Sequence, residues 1–372
     1  MRIGIDGRVL DRKITGTGRY LINLLNELPN QDKKNEYFLF TNSSLPFDKE
    51  FYNIIRYKET KIPMKLYSPV WINIALPGLV KKYNLDLLFL PNVFAPFVKK
   101  TKVKYVSVIH DAIYKIYNDY HPLSYRIYKS LFLPKSIKNS DIVITVSEQS
   151  KKDIIKYDNV PEEKVRIVHN TASGHFKPTV KNESELRELT NVLKIPGKYI
   201  LYVGAVEKRK NVLGVIKIIE LVREKGSDLN LVILGKPGYG SEQILPEIEK
   251  RKNYIKHIKY IDDKYLTKIY NYSFAFLFPS FYEGFGIPPL EAMQCGIPVL
   301  ASDTSALLEV VGEGGILHPP NDYDNFANDI LRLENDSVFY NHMSKRALIQ
   351  AEKFDIKKIT KKLVTIFDEL EI

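Results

Sequence analysis

Apolar residues fall in short, nearly unbroken runs, separated by longer stretches where they recur every three or four positions. In the first half the runs are Ile3–Asp6, Tyr37–Thr41, Leu87–Leu90, Tyr105–Ile109, Ile142–Val146 and Val165–Val168. In the second half they are Ile200–Val203, Leu231–Leu234, Lys259–Ile261, Ala275–Phe278 and Val299–Ala301. Continuous apolar runs suit parallel strands buried on both faces, and the helical periodicity between them suits crossover connections. The pattern predicts an α/β chain of doubly wound parallel sheets.

The runs form two groups. A polar stretch separates them, with a linker expected near Phe176–Lys181 and a helix over Glu183–Leu193 opening the second group. The closing segment carries Ile356, Ile359, Leu363, Ile366, Phe367 and Leu370 at helical spacing. At 372 residues the chain is too long for one ordinary core, so two domains are expected.

Composition adds limits. Hydrophobic residues make up 44% and charged residues 27%, as in soluble globular proteins. The single cysteine, Cys295, excludes an internal disulfide and fits a reducing compartment. The N-terminal apolar run is broken by Asp6, too early for a signal peptide, and no run of about twenty apolar residues offers a spanning helix. The net charge of +11 would suit nucleic acid, an anionic membrane or a phosphorylated substrate, and equally a Lys-rich soluble surface. No recognised nucleic-acid module accompanies it.

Open parallel sheets bind ligands outside the carboxyl ends of their strands, so the loops there are the informative ones. In "TGTGRYLINLL", Gly16 and Gly18 would let backbone approach a ligand, and the helix start favours anions. The stretch fails as a dinucleotide fingerprint, since Leu21 stands where a third glycine belongs, and a plain turn is the simpler reading. In "VSVIHDAIY", His110 ends a buried run and could meet a substrate hydroxyl, or be structural. In "YVGAVEKRKNV", Gly204 ends a run, and Arg209 and Lys210 follow where a diphosphate could sit, or where cations simply face water.

The densest stretch is "FYEGFGIPPLEAMQCGIPV", Phe281 to Val299. Gly284 and Gly286 thin a turn, so a ligand could reach the backbone N–H groups of Phe285, Gly286 and Ile287. Pro288 and Pro289 suit a helix start. Glu283 and Glu291 bracket the turn, and carboxylates grip vicinal hydroxyls well. The two could hold the sugar and the ribose of one nucleotide conjugate.

This stretch resembles the E-x7-E motif of retaining glycosyltransferases of family four, which adopt the GT-B fold. The likeness covers nearly the whole chain, through "TGTGRY", "IHDAIY", "DIVITVSEQSKKDII", "EEKVRIVHN", "YVGAVEKRKN" and "FDIKKITKKL". It implies two Rossmann-like domains facing across a cleft: an acceptor-binding domain over residues 1–177 and a nucleotide-sugar-binding domain over residues 178–352. A last helix over residues 353–372 would cross back to the first domain. Lys210 would match the phosphate lysine, Glu291 the ribose ligand, Glu283 the group near the donor sugar, and His110 the histidine near the transferring sugar. Gly16 and Gly18 would match the glycine loop beside the diphosphate. One departure is Ala205, where many members carry arginine; Arg209 would supply that second charge.

The resemblance implies a retaining transferase that needs no cofactor and no metal. No Asp-x-Asp directly follows one of the expected runs; "IDDKY" at Asp262 is a different pattern. The "KRKN" and "YEGFGIPPLEAM" variants look like mannosyl- and rhamnosyl-type members, which puts GDP-mannose first and leaves UDP-sugars and dTDP-rhamnose open. The expected acceptor is a glycan or lipid-linked glycan of the cell envelope, with the enzyme cytoplasmic or peripheral on the inner face of the membrane. A basic amphipathic stretch (Tyr125, Arg126, Tyr128, Lys129, Leu131, Phe132, Lys135, Lys138) could lie on such a surface or pack on the sheet. A nucleotide-sugar epimerase on the same fold and a catalytically silent, membrane-associated binding protein are the rival readings.

Overall fold

The computed structural model describes residues 1–11, 14, 16–45, 47–57, 69–99, 102–117, 123–194 and 197–371. Two compact units emerge, Met1–Thr171 with Ile356–Ile372, and Ala172–Asp355.

The first unit is built on a seven-stranded parallel sheet. Its strands are β1 (Arg2–Asp6), β2 (Glu36–Phe40), β3 (Tyr52–Ile55), β4 (Leu87–Leu90), β5 (Lys104–Val108), β6 (Ile142–Thr145) and β7 (Val165–Ile167). They lie in the order β3-β2-β1-β4-β5-β6-β7. The chain winds outward from β1 to β3, then returns to β4 on the other side of β1. Ile3 therefore pairs with Tyr37 on one flank and Leu87 on the other. All four residues of β4 and of β6 are buried, as their unbroken apolar runs require.

The closing helix Ile356–Asp368 belongs to this unit. It buries Ile359, Leu363, Ile366 and Phe367 against it, and packs on the helix Gly16–Gln31. Phe367 meets Phe89 of β4 edge to face, with centroids 5.5 Å apart. Arg166 pairs with Glu369 at 3.6 Å.

The second unit holds a six-stranded parallel sheet. Its strands are β8 (Tyr199–Val203), β9 (Asn230–Leu234), β10 (Ile255–Ile258), β11 (Ala275–Phe278), β12 (Val299–Ser302) and β13 (Ile316–His318), in the order β10-β9-β8-β11-β12-β13. Here too the winding reverses, between β8 and β11.

Three strand positions depart from the hydrophobic pattern. The run expected at Lys259–Ile261 is not a strand; β10 lies just before it. β3 and β13 carry no strong run, and all three are edge strands. An edge strand needs less apolar surface, and three of the four residues of β10 and all of β13 are only half-buried. The expected helix over Glu183–Leu193 forms with those bounds, capped by Asn182, whose side chain accepts from Glu185 N at 2.8 Å. The boundary between units falls at Thr171/Ala172, ahead of the expected linker. Phe176 is buried and edge-on to Tyr270, with centroids 5.4 Å apart, so it already belongs to the second core.

Candidate functional site

In an open parallel sheet the ligand crevice lies where the strand order reverses. In the second unit that point is between β8 and β11. The loops after these two strands carry Arg209, Lys210 and Glu283.

The β8 loop is tightly held. Asn211 takes a left-handed conformation (φ 53°) and caps the helix Val212–Glu224, accepting from Gly214 N at 3.2 Å. Its amide donates to Pro279 O at 3.0 Å and Pro320 O at 2.7 Å. This ties the β8 loop to the chain leaving β11 and aims the short turn Lys208–Lys210. Glycine at 204 leaves room for the lysine stem: a Cβ there would lie 3.2 Å from Lys210 Cδ.

Glu283 is the meeting point. Its Oε1 accepts from Lys210 Nζ at 2.7 Å and from Ser280 Oγ at 2.9 Å, and Arg209 Nη1 lies 3.2 Å away. Its backbone N–H donates to Ser305 Oγ at 2.9 Å. Among the described residues nothing hydrogen-bonds its Oε2. Burial alone would raise the Glu283 carboxyl. The charges of Lys210 and Arg209, with hydrogen bonds from Lys210 and Ser280, overcome that and take it down to about 2. The site therefore holds a fixed anion between two cations.

The thin turn follows. Gly286 has φ +112°, in the left-handed region, and a Cβ there would lie 2.8 Å from Leu307 Cδ2. The Phe285 ring turns into the core, edge-on to Phe354 at 5.4 Å. The helix Ile287–Gln294 has prolines in its first turn and no side-chain cap. Pro288 and Pro289 carry no N–H, so the donors at this end are main-chain amides ahead of them, beside Gly284 and Glu283.

Glu291 has different surroundings. It is 3% exposed, and Tyr270 donates to its Oε2 at 2.6 Å. Its charge adds to burial in pushing the Cys295 thiol up to about 12, which leaves that cysteine inert.

The first unit presents His110 and the glycines. His110 follows β5, and its Nε2 lies 3.1 Å from Pro91 O at the end of β4. A carbonyl only accepts, so Nε2 carries the proton, and Nδ1 of the neutral ring is an acceptor. Burial lowers the His110 pKa first, and the Lys129 charge adds to it; the Pro91 carbonyl and Asp111 oppose both. Tyr20 stands edge-on to the imidazole, with centroids 5.2 Å apart. Tyr20 comes from the helix that starts at Gly16. Gly16 is exposed, while Gly18 is buried beside Ile14. Thr15 of the same motif lies outside the described residues.

Within the second unit the structure thus gathers Gly204, Arg209, Lys210, Glu283 and the turn 284–287. It sets Glu291 on Tyr270 and leaves His110, Gly16 and Gly18 on the first unit. Sequence reasoning missed Glu207, Asn211, Tyr270, Ser280 and Ser305. Asn211 had a signal, as a capping residue between a basic turn and an apolar helix; the serines and Tyr270 had none. Among the described residues no group of three or more His, Cys, Asp or Glu could hold a metal ion.

Comparison with known proteins agrees with this geometry. Residues 14–172 match the model of Glycosyltransferase Family 4, and residues 187–350 match that of Glycosyl transferases group 1. The O-antigen chain mannosyltransferase B of Escherichia coli is 28% identical over 95% of this chain and 96% of its own. The O-antigen chain mannosyltransferase RfbU of Salmonella typhimurium is 28% identical over 70% of this chain and 68% of its own. Among solved structures, sucrose-phosphate synthase from Thermosynechococcus elongatus superposes with a TM-score of 0.77 at 19% identity, covering 99% of this chain and 98% of its own. Anabaena HepE, solved with UDP and glucose, gives 0.73 at 17% identity, covering 98% and 99%. One family model per unit, and a relative matched along 95% of the chain, place this protein in glycosyltransferase family 4: it is a glycosyltransferase of the GT-B fold.

Proposed function

We propose that the protein transfers mannose from GDP-mannose, with retention of anomeric configuration and without a metal, to the growing glycan of a cell-envelope polysaccharide. The observation that carries this is the Lys210–Glu283–Arg209 constellation at the β8/β11 reversal. Two fixed cations beside a turn of main-chain donors suit a diphosphate. The mannosyltransferase relatives favour the sugar.

The chemistry follows from the leaving group. Breaking the sugar–phosphate bond puts negative charge on the nucleoside diphosphate. Lys210, Arg209 and the amides of Gly286 and Ile287 are preorganised to stabilise that charge. Glu291 holds the ribose, with Tyr270 fixing its carboxylate. Glu283, deprotonated, accepts a hydroxyl of the sugar on Oε2. On the first unit, His110 can accept a hydroxyl on Nδ1. The leaving phosphate oxygen itself can take the acceptor's proton, so no protein base is required.

The acceptor is lipid-linked in this reading, and the enzyme works peripherally on the inner membrane face. No described helix is long and apolar enough to cross a membrane. The helix Leu123–Asn139 supports surface contact. It turns Tyr128 and Phe132 onto Phe94 and Phe97. Leu123, Ile127 and Leu131 are left 65%, 49% and 59% exposed, in a row beside Arg126. The side chain of Tyr125 lies outside the described residues.

A melting-temperature screen with GDP, UDP, dTDP and their sugar conjugates, with and without EDTA, tests the donor assignment. Stabilisation by GDP and GDP-mannose that EDTA leaves unchanged is the expected result. Stabilisation by UDP-glucose alone would overturn the donor; the HepE likeness makes that the second reading.

A further inference from the structure

Glu207 opens the Lys208–Lys210 turn in extended conformation (φ −146°, ψ 156°). Its Oε1 accepts from Arg209 Nη2 at 2.5 Å, and the two side chains are 16% and 11% exposed. Its stem is lodged against the loop after β9. A Cβ on Gly238 would lie 3.1 Å from both Glu207 Cβ and Oε2. The two loops are stitched together around it: Val206 N donates to Lys236 O at 2.8 Å, and Gly238 N donates to Val206 O at 2.9 Å. The backbone thus holds Glu207, and Glu207 holds Arg209.

The other amine of Arg209, Nη1, donates to Tyr282 O and lies 3.2 Å from Glu283 Oε1. The guanidinium is split between two carboxylates, one amine each. An arginine beside a single carboxylate tends to close a two-pronged fork over both oxygens. Nη1 can close such a fork only together with Nη2, and Nη2 is engaged by Glu207. Lys210, Arg209 and Ser280 consequently all converge on Oε1 of Glu283.

We propose that Glu207 is a positioning residue: by holding one amine of Arg209 it confines that arginine to a single oxygen of Glu283 and keeps the other, Oε2, open for a hydroxyl of the donor sugar. This rests on the donor-site reading above and adds a residue to it. Removing Glu207 frees Nη2, and the fork closes over the oxygen the sugar needs.

The test compares wild type, Glu207→Ala and Glu207→Gln by calorimetry with GDP and GDP-mannose, and with UDP and UDP-glucose. The readout is the preference for the sugar conjugate over the bare diphosphate. Glu207→Ala should lose about tenfold of that preference, the scale of one hydrogen bond to a charged group. Glu207→Gln should retain it, since its amide oxygen still accepts from Nη2. A crystal structure of Glu207→Ala should show both Arg209 amines on Glu283. Equal weakening of diphosphate and conjugate, an unchanged preference, a wild type with no preference, or Gln behaving like Ala would each overturn the proposal. If the wild type binds none of the four ligands, the donor reading fails separately. The Glu207→Ala structure then decides alone: a closed fork supports the proposal, and Arg209 still on Oε1 only overturns it.

Discussion

Lys210 Nζ and Glu283 Oε1 lie 2.7 Å apart, joining loops that leave two neighbouring strands of one sheet. The pair does two things at once. It locks the β8 and β11 loops at the point where the winding reverses, and on the proposed reading it holds a cation ready where negative charge would develop. Lys210→Ala should lower kcat/KM by about 10²–10³-fold, the scale for losing one preorganised charge-stabilising group. Steady-state kinetics with the donor identified by the melting screen checks this, and near-wild-type turnover would remove Lys210 from the mechanism.

The pair also makes stability depend on acid. The Glu283 carboxyl is held at about 2 in the fold, against 4.5 when unperturbed. A depressed carboxyl stabilises the fold above its unfolded pKa, and that contribution is lost as pH falls from about 4.5 toward about 2. Its size is roughly 3 kcal/mol. The melting temperature of wild type should therefore fall more steeply across this window than that of Glu283→Gln. Parallel curves for the two proteins would show that the pairing contributes little.

Tyr270→Phe removes a phenol that donates to the buried Glu291 carboxylate. Leaving a buried charged acceptor short of a donor costs about 1–3 kcal/mol. Denaturant unfolding should show that loss. On the proposed reading, in which Glu291 holds the ribose, calorimetry should show weaker binding of the free nucleoside diphosphate as well. Destabilisation with unchanged nucleotide affinity would make Glu291 a purely structural acid.

His110 is expected to work as a neutral acceptor. Its pKa is lowered chiefly by burial, so the ring stays uncharged around pH 7 and above. Protonation as pH falls below the ordinary histidine value would place a charge in a half-buried site, so both stability and activity should decline on the acid side. The rate should stay flat above neutrality as far as this residue is concerned. His110→Phe should abolish the acid-side decline that His110 causes, along with about tenfold or more of the turnover; an unchanged acid limb would assign it elsewhere.

Much of the fold was readable because the central strands are buried on both faces. β4 and β11 coincide with the runs Leu87–Leu90 and Ala275–Phe278 residue for residue. Three of the four edge strands were not readable, since β3, β10 and β13 alternate weakly or hardly at all; the fourth, β7, lies within the expected run Val165–Val168. At the site, Lys210 and Glu283 were legible because each follows a central strand. Their partnership was not, because a contact between loops 73 residues apart depends on strand order rather than on spacing. Ser280, Ser305 and Glu207 act through side-chain hydrogen bonds set by the tertiary fold, which leave no periodic trace.

The exposed row on Leu123–Asn139 can be tested without knowing any substrate. Ile127→Glu and Leu131→Glu put charge at positions already in water, so folding should change little. Sedimentation with phosphatidylglycerol vesicles should fall several-fold relative to wild type. Equal sedimentation of variants and wild type would leave the row as ordinary surface.

The return of the closing helix makes Ala172–Asp355 an insertion within the first unit. During synthesis from the N-terminus, the second unit has its whole sequence before the first does. Until residues 356–368 emerge, β4 and the helix Gly16–Gln31 lack the cover that Leu363 and Phe367 provide. The first unit starts first and finishes last, and its half-built apolar face is what a chaperone would meet on the ribosome.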